Sequence, residues 1–441
     1  MNITPPLSLQ ALSALQDEIL IDRLEHILPS VMKECNVEMW IVIGDEYNEG
    51  PVVRSLLPSS FFHARKTSLF VFARKDGVNY RYIVSKPDFS IDKFYTPALL
   101  KPFGFDWEKF YTTFAPQYDI EAIRAMDEED MWGALSRIVR EIDPSNIALE
   151  TSATTSFSDG LSKTNYDAII ASIDKKYVER IMSSEIVATR FLETRSEKEI
   201  LLMRDIVGVT RDIIKKAYST EVITVNKTTT GELRFFLMEE AIKVGMIPWF
   251  DATVWIRRDG KSHIDNDNEV IQKGDILHCD FGVVYARLCS DVQEMAYIKD
   301  DNDETLISEL KNIHNLSMKF QDIVMKNLVV GKTGNEVLIN SLTEAKEQGI
   351  TKPMLYSHPI GIYGHGPGPT IGTFGNQKFV KAGGERIVHN NTAYALELNV
   401  MEKVTVWNNL EIMWGQEIDI AIIDNTPQFL KGRQKELHIV G

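Results

Sequence analysis

The chain has 441 residues, with 48 Lys+Arg against 63 Asp+Glu, a formal charge of −15. Nucleic acid and anionic membrane are therefore not expected partners, because a phosphate-binding surface carries a basic excess. At 44% hydrophobic and 25% charged residues it is neither a disordered nor a fibrous chain, and its length predicts two domains. Cys35, Cys279 and Cys289 include no CxxC pair, which argues against a disulfide framework or a zinc-thiolate site and points to a reducing compartment. Residues 1–20 include Asp17 and Glu18 and no basic residue, unlike a signal peptide. No apolar run approaches the roughly 18–20 residues that cross a bilayer, so the expected location is the cytoplasm.

In chain order, Leu12, Leu15, Ile19, Leu20, Leu24, Ile27 and Leu28 recur at helical spacing and predict a helix over 9–28. Residues 37–43 predict a buried strand, and 68–72 with 80–84 a hairpin turning at Asp76-Gly77. A helix is predicted over 121–142 and a strand over 147–150. The first domain is read as 1–178, an α/β domain with no chemical motif, and the second as 179–441. There, Ser196 and Glu199 form a capping signal for a helix to about 219. Further helices are predicted at 231–244, 304–328 and 334–348. They alternate with β-rich runs at 253–256, 276–285, 392–406 and 416–423, read as antiparallel ribbons because the links are short.

Several familiar motifs fail. Gly331-Lys332-Thr333 lacks the earlier glycine of a phosphate loop, where Lys326 stands, and reads as a turn into a helix. No G-x-S-x-G elbow and no H-E-x-x-H helix occurs, which removes the commonest serine-hydrolase and zincin readings.

Four segments stand out instead: Asp280 with Asp291 eleven residues on, His358 running through Gly361 to His365, Glu397, and Glu417. Residues of odd separation face opposite sides of one strand, so Asp280 and Asp291 can meet only if 283–288 turns the chain back. Glu397 and Glu417 lie in apolar β-like runs, where a carboxylate must be paired, protonated or metal-bound. Singly, each has a blander reading as a turn or solvent-facing residue. Together, metal binding explains them all.

In order and spacing this set resembles the creatinase, prolidase and methionine aminopeptidase superfamily. The resemblance covers about Val178 to the C-terminus, and the preceding domain resembles the creatinase-type N-terminal domain of prolidases and aminopeptidases P. It implies an α+β protein, a creatinase-like α/β domain followed by a pita-bread catalytic domain. It also implies a metal set of Asp280, Asp291, His358, Glu397 and Glu417, with Asp291 and Glu417 bridging. Two divalent ions are expected, manganese before cobalt, zinc or iron, since four carboxylates and one imidazole suit borderline-hard cations. Glu397 would be the general base for a metal-bridging hydroxide. His263 and His365 would hydrogen-bond the substrate and stabilise the tetrahedral intermediate. The implied activity is hydrolysis of the bond between an N-terminal residue and proline, in a homodimer acting on a peptide or small-molecule substrate.

The chain departs from the family pattern at Met354, where a further histidine is usual, at Glu397-Leu398-Asn399 in place of Glu-Pro-Gly, and at Gly415 in place of an arginine. Two alternatives stay open at this level: His365 as the ligand instead of His358, and a metal-dependent lyase or amidohydrolase acting on a small non-peptide substrate. Trp249, Phe250, Trp255, Tyr363 and Phe374 are candidates either for an apolar substrate pocket or for core packing.

Overall fold

Met39–Asp45, the run MWIVIGD, is buried almost throughout and forms the centre of the first sheet. The computed structural model describes residues 6–259, 262–264 and 266–441, apart from the side chains of Phe89 and of 262–264. Two compact units are present, residues 10–192 forming one and 193–441 most of the other.

In the first unit, β1 (Met39–Asp45), β2 (Thr67–Lys75), β3 (Val78–Val84), β4 (Thr96–Pro97), β5 (Ile147–Leu149) and β6 (Ile181–Ser183) lie in the order β4-β3-β2-β1-β5-β6. The β2–β3 hairpin turns at Asp76 and Gly77, with φ of 51° and 80°, the two left-handed residues that match strand twist. β6 pairs in parallel with β5, so this sheet continues past Val178.

Two helical expectations change here. The first helix extends to Glu34 through a wide π turn at Arg23–Ile27. Pro29 stands two residues beyond that turn, and its ring would clash with the carbonyl four residues back in a regular α-helix. The predicted 121–142 helix is two, Ile120–Arg124 and Met131–Ile142. Asp130 caps the second by accepting from Gly133 N at 2.7 Å, which requires non-helical backbone at that point. The acidic run 127–130 also opposes helix through its like charges.

The second unit contains β7 (Ile247–Pro248), β8 (Thr253–Arg258), β9 (Ser262–Ile264), β10 (Ile276–Phe281), β11 (Val283–Tyr285), β12 (Leu288–Cys289) and β13 (Val292–Ile298). These are followed by β14 (Met354–Leu355), β15 (His358–Pro359), β16 (Thr392–Val404), β17 (Leu410–Ile423), β18 (Thr426–Phe429) and β19 (His438–Val440). Among the described residues the main sheet has ten strands, with β14-β16-β17-β13-β10-β8-β9 as its path. The β16–β17 ribbon is antiparallel from Thr392↔Ile422 to Val404↔Leu410, so β17 begins earlier than the run from 416 predicts.

Helices Glu197–Ala217, Thr230–Lys243 and Gly334–Glu347 each start in a capping box, at Ser196/Glu199, Thr229/Glu232 and Thr333/Glu336. Thr333 thus opens a helix, as the failed phosphate-loop motif predicts. Leu396, Leu398 and Val400 of β16 join Leu310, Ile313, Phe320 and Val324 of helix Glu304–Asn327 in one buried cluster. Alternation along the strand leaves Ala395, Glu397 and Asn399 for the opposite face.

Candidate metal centre

The centre lies on that opposite face. Asp280 of β10 is in register with Gln293 of β13, Gln293 with Glu417 of β17, and Glu417 with Glu397 of β16. Residues paired in this way present their side chains to one side of a sheet, so four adjacent strands set these four groups side by side. Asp291 stands two residues before Gln293. The chain returns to it at Ala286 and Arg287, whose φ values are 48° and 69°, between the paired β11 and β12. The 283–288 segment therefore turns back as its spacing requires.

β15 brings in His358, which pairs in register with Ala395. Its Nε2 lies 3.7 Å from Asp291 Oδ2 and 3.6 Å from Glu417 Oε1. Ligand atoms of Asp291, His358 and Glu417 all fall within 4.8 Å of one another. His358 Nδ1 is 3.2 Å from Pro359 O. A carbonyl only accepts, so Nδ1 carries the hydrogen in the neutral ring and Nε2 turns a bare lone pair toward two carboxylates.

His365 is not in that cluster. Its ring lies 4.6 Å from that of His358 and 5.2 Å from that of Trp249. Trp249 is fixed by donating Nε1–H to Ser290 O at 2.8 Å, and a Cβ at Gly282 or Gly364 would collide with its indole. Phe250 packs on Trp249 at 4.5 Å, while Trp255 packs on His278 and Phe374 on Tyr356. Trp249 and Phe250 thus join the His365 side. The side chain of His263 lies outside the described residues.

Charge is the problem this arrangement poses. Burial pushes Asp280 up to about 7, and burial with the charge of Asp280 pushes Glu397 up to about 8. Asp291 and Glu417 are raised well above the carboxylate range by burial and by the other acids. Burial, and then His365, lowers His358 to about 4; burial also lowers His365. Asp280 Oδ1, Asp291 Oδ1 and Glu417 Oε1 are buried without a hydrogen-bond partner. Buried acceptors of this kind are rare and costly. Unpartnered carboxylate oxygens, with Asp291 and Glu417 grouped around a bare imidazole nitrogen, fit one kind of occupant, a hard or borderline divalent cation.

Sequence reasoning misses three groups here. Gln293 Nε2 donates to Glu397 Oε1 at 2.6 Å and to Glu417 Oε2 at 2.9 Å. His278 Nε2 lies 2.9 Å from Gln293 Oε1. Asp419, raised well above its ordinary range by burial, accepts from Asp291 N at 3.0 Å. The available signal was strand period, since each lies two residues from a candidate ligand.

Comparisons with known proteins bear on the family and the fold. The profile of metallopeptidase family M24 matches residues 202–421. An X-Pro aminopeptidase from Thermotoga maritima is similar in structure at 17% identity and TM-score 0.59, covering 95% of this chain and 100% of that one. A Xaa-Pro dipeptidase from Bacillus anthracis is similar at 17% identity and TM-score 0.57, over 95% and 99%. The N-terminal domain of FACT complex subunit SPT16 from chickpea also shares the fold, at 13% identity and TM-score 0.54 over 99% and 100%. No curated protein matches in sequence. Structural likeness at these identities establishes the fold, and activity must be argued from the site. By its profile and its fold, this chain belongs to the creatinase, prolidase and aminopeptidase P superfamily of metallopeptidases, family M24, with a pita-bread catalytic domain after an α/β N-terminal domain.

Proposed function

We propose that this metallopeptidase hydrolyses the bond between an N-terminal residue and a following proline, using two divalent ions, with manganese the favoured metal. The observation that carries the reading is the clustering of ligand atoms of Asp291, His358 and Glu417 within 4.8 Å of one another, beside buried oxygens of Asp280, Asp291 and Glu417 that have no hydrogen-bond partner. Asp280, Asp291, His358, Glu397 and Glu417 would hold the ions, whose four positive charges offset four carboxylates. When bound, such ions acidify water and polarise the scissile carbonyl.

The remaining tasks fall to the chain. Glu397 keeps the general-base role that the resemblance implies, taking up and returning a proton beside the ions. His365, kept neutral by burial and packed against Trp249, supplies a fixed N–H donor for the substrate carbonyl. His263 keeps the same role by resemblance. Trp249 and Phe250 offer an apolar wall for a proline ring.

A second reading, a lyase or amidohydrolase acting on a small non-peptide substrate, draws on the altered surroundings of Glu397, where Asn399 and Gly415 replace the family pattern. In either case we place the protein in the cytoplasm as a homodimer without nucleic-acid or membrane partners. Among the described residues, no helix is long and apolar enough to cross a membrane.

The test is metal content of the purified protein together with hydrolysis of Xaa-Pro dipeptides and longer Xaa-Pro peptides, with and without chelator. Chelator-sensitive release of the residue before proline is expected. Two bound metal ions without any such cleavage would move the assignment to the second reading. Sedimentation or light scattering tests the dimer.

A further inference from the structure

Across the row Asp280, Gln293, Glu417 and Glu397, one position of four carries an amide in place of a carboxylate. Gln293 is 3% exposed, and chemistry fixes its orientation. Carboxylate oxygens only accept, so the NH₂ group must face Glu397 and Glu417, at 2.6 and 2.9 Å. The amide oxygen then faces His278 Nε2 at 2.9 Å. It can only accept, which requires the Nε2–H form of that imidazole.

His278 is held in turn. Its ring meets Trp255 edge-on at 4.9 Å. It occupies space that exists only because residue 415 is glycine: a Cβ there would stand 2.6 Å from Asn399 Oδ1 and 2.9 Å from His278 Cε1. Any side chain at 415 would displace the imidazole or Asn399.

We propose that His278 and Gln293 form a positioning relay, in which the imidazole orients the amide and the amide fixes Glu397 and Glu417 for the metal pair. The proposal rests on the metal reading above. The neutrality of the amide is what suits Gln293 to this place. A cation at 293 would take up part of the negative charge that the divalent ions require, and a fifth carboxylate would add repulsion to a cluster already over-charged. An amide supplies two donors and leaves the charge balance unchanged. Gln293 acts through the glutamates, so it is a positioning residue rather than a catalytic one.

Titration calorimetry with manganese(II) on the full-length protein tests this. Gln293→Leu should weaken manganese binding about 10–100-fold, the usual consequence of losing an outer partner of a metal ligand, while the metal-free protein still folds. His278→Phe, which keeps a ring against Trp255, should weaken it less. The double variant should be no worse than Gln293→Leu alone, because the imidazole acts only through the amide. Unchanged manganese affinity in folded Gln293→Leu overturns the relay, as do strictly additive effects of the two substitutions. Should Gln293→Leu fail to fold, His278→Phe decides by itself, with unchanged affinity overturning the relay. A wild-type protein that takes up no manganese overturns the metal reading itself, and the relay with it.

Discussion

Glu150 in the first domain and Asp291 in the second are both buried carboxylates at strand ends, yet their surroundings differ in kind. Glu150 Oε1 accepts from Trp40 Nε1 at 2.7 Å and from Ser184 Oγ at 2.6 Å, so neutral donors cover it. Glu294, also in the second domain, is met by the guanidinium of Arg211, Nε at 2.7 Å, and by the ring of His438, Nε2 at 2.6 Å, both groups of the chain itself. Burial alone would raise Glu294, but these partners hold it below the ordinary carboxylate range. Asp291 Oδ1 has neither kind of partner, and what faces Asp291 is an imidazole lone pair and further acids. Burial of a carboxylate is therefore no mark of function by itself. The mark is a set of buried oxygens that the chain leaves unsatisfied around one point.

The largest effects should come from breaking that contrast. Asp291→Asn keeps the shape and removes the charge; it should abolish manganese uptake, measured by elemental analysis, and Xaa-Pro hydrolysis with it. Glu150→Gln should change neither. An Asp291→Asn enzyme with activity near wild type would show that the orphaned oxygen is not a ligand. A second effect follows from linkage. Manganese at a hundred times its dissociation constant should stabilise wild type by about 2.7 kcal/mol, read as a higher urea midpoint, and should not stabilise Asp291→Asn. A third concerns Glu294. Arg211→Met removes the charged hydrogen bond to Glu294 and a further one to Lys431 O; losing the first should cost about 1.5–3 kcal/mol in urea denaturation, with manganese affinity unchanged. A lost metal site in that variant would mean that Glu294 and the centre are not separate.

How much of this was legible in the sequence depended on whether the information was local. The Asp76-Gly77 turn and the Ser196/Glu199 cap were readable because a few adjacent residues dictate their backbone. The 121–142 region misled because apolar spacing on either side outweighed the acidic run 127–130, in which Asp130 is a cap. At the centre, the family resemblance implied Asp280, Asp291, His358, Glu397 and Glu417, and His365 stayed open as an alternative to His358, since no spacing gives a distance. It is His358 Nε2 that stands 3.6 Å from Glu417. Strand period sets Gln293 two residues from Asp291, but its bonds to Glu397 and Glu417 depend on β13 lying between β10 and β17, a neighbour relation that the period does not encode.

The smallest effect sharpens the comparison from the first-domain side. Burial raises Glu150 to about 7, although Ser184 and Trp40 work in the opposite direction. A carboxyl raised in the folded state contributes stability that is fully present below its unfolded pKa of about 4.3, and that contribution is lost as pH rises through the folded value. Gln at 150 cannot ionise and carries no such dependence. The stability of Glu150→Gln relative to wild type should therefore increase from about pH 4.5 to about pH 7 and level off above it, measured by urea denaturation in the presence of chelator. Glu294, held low by Arg211 and His438, has the opposite sign: its contribution is present above its unfolded pKa and lost as pH falls through the folded one. Removing its partner in Arg211→Met should thus cost less in acid than at neutrality. If the Glu150→Gln difference is flat across this window, Glu150 is ionised in the folded protein at acid pH, and its neutral donors alone are enough to carry a buried charge.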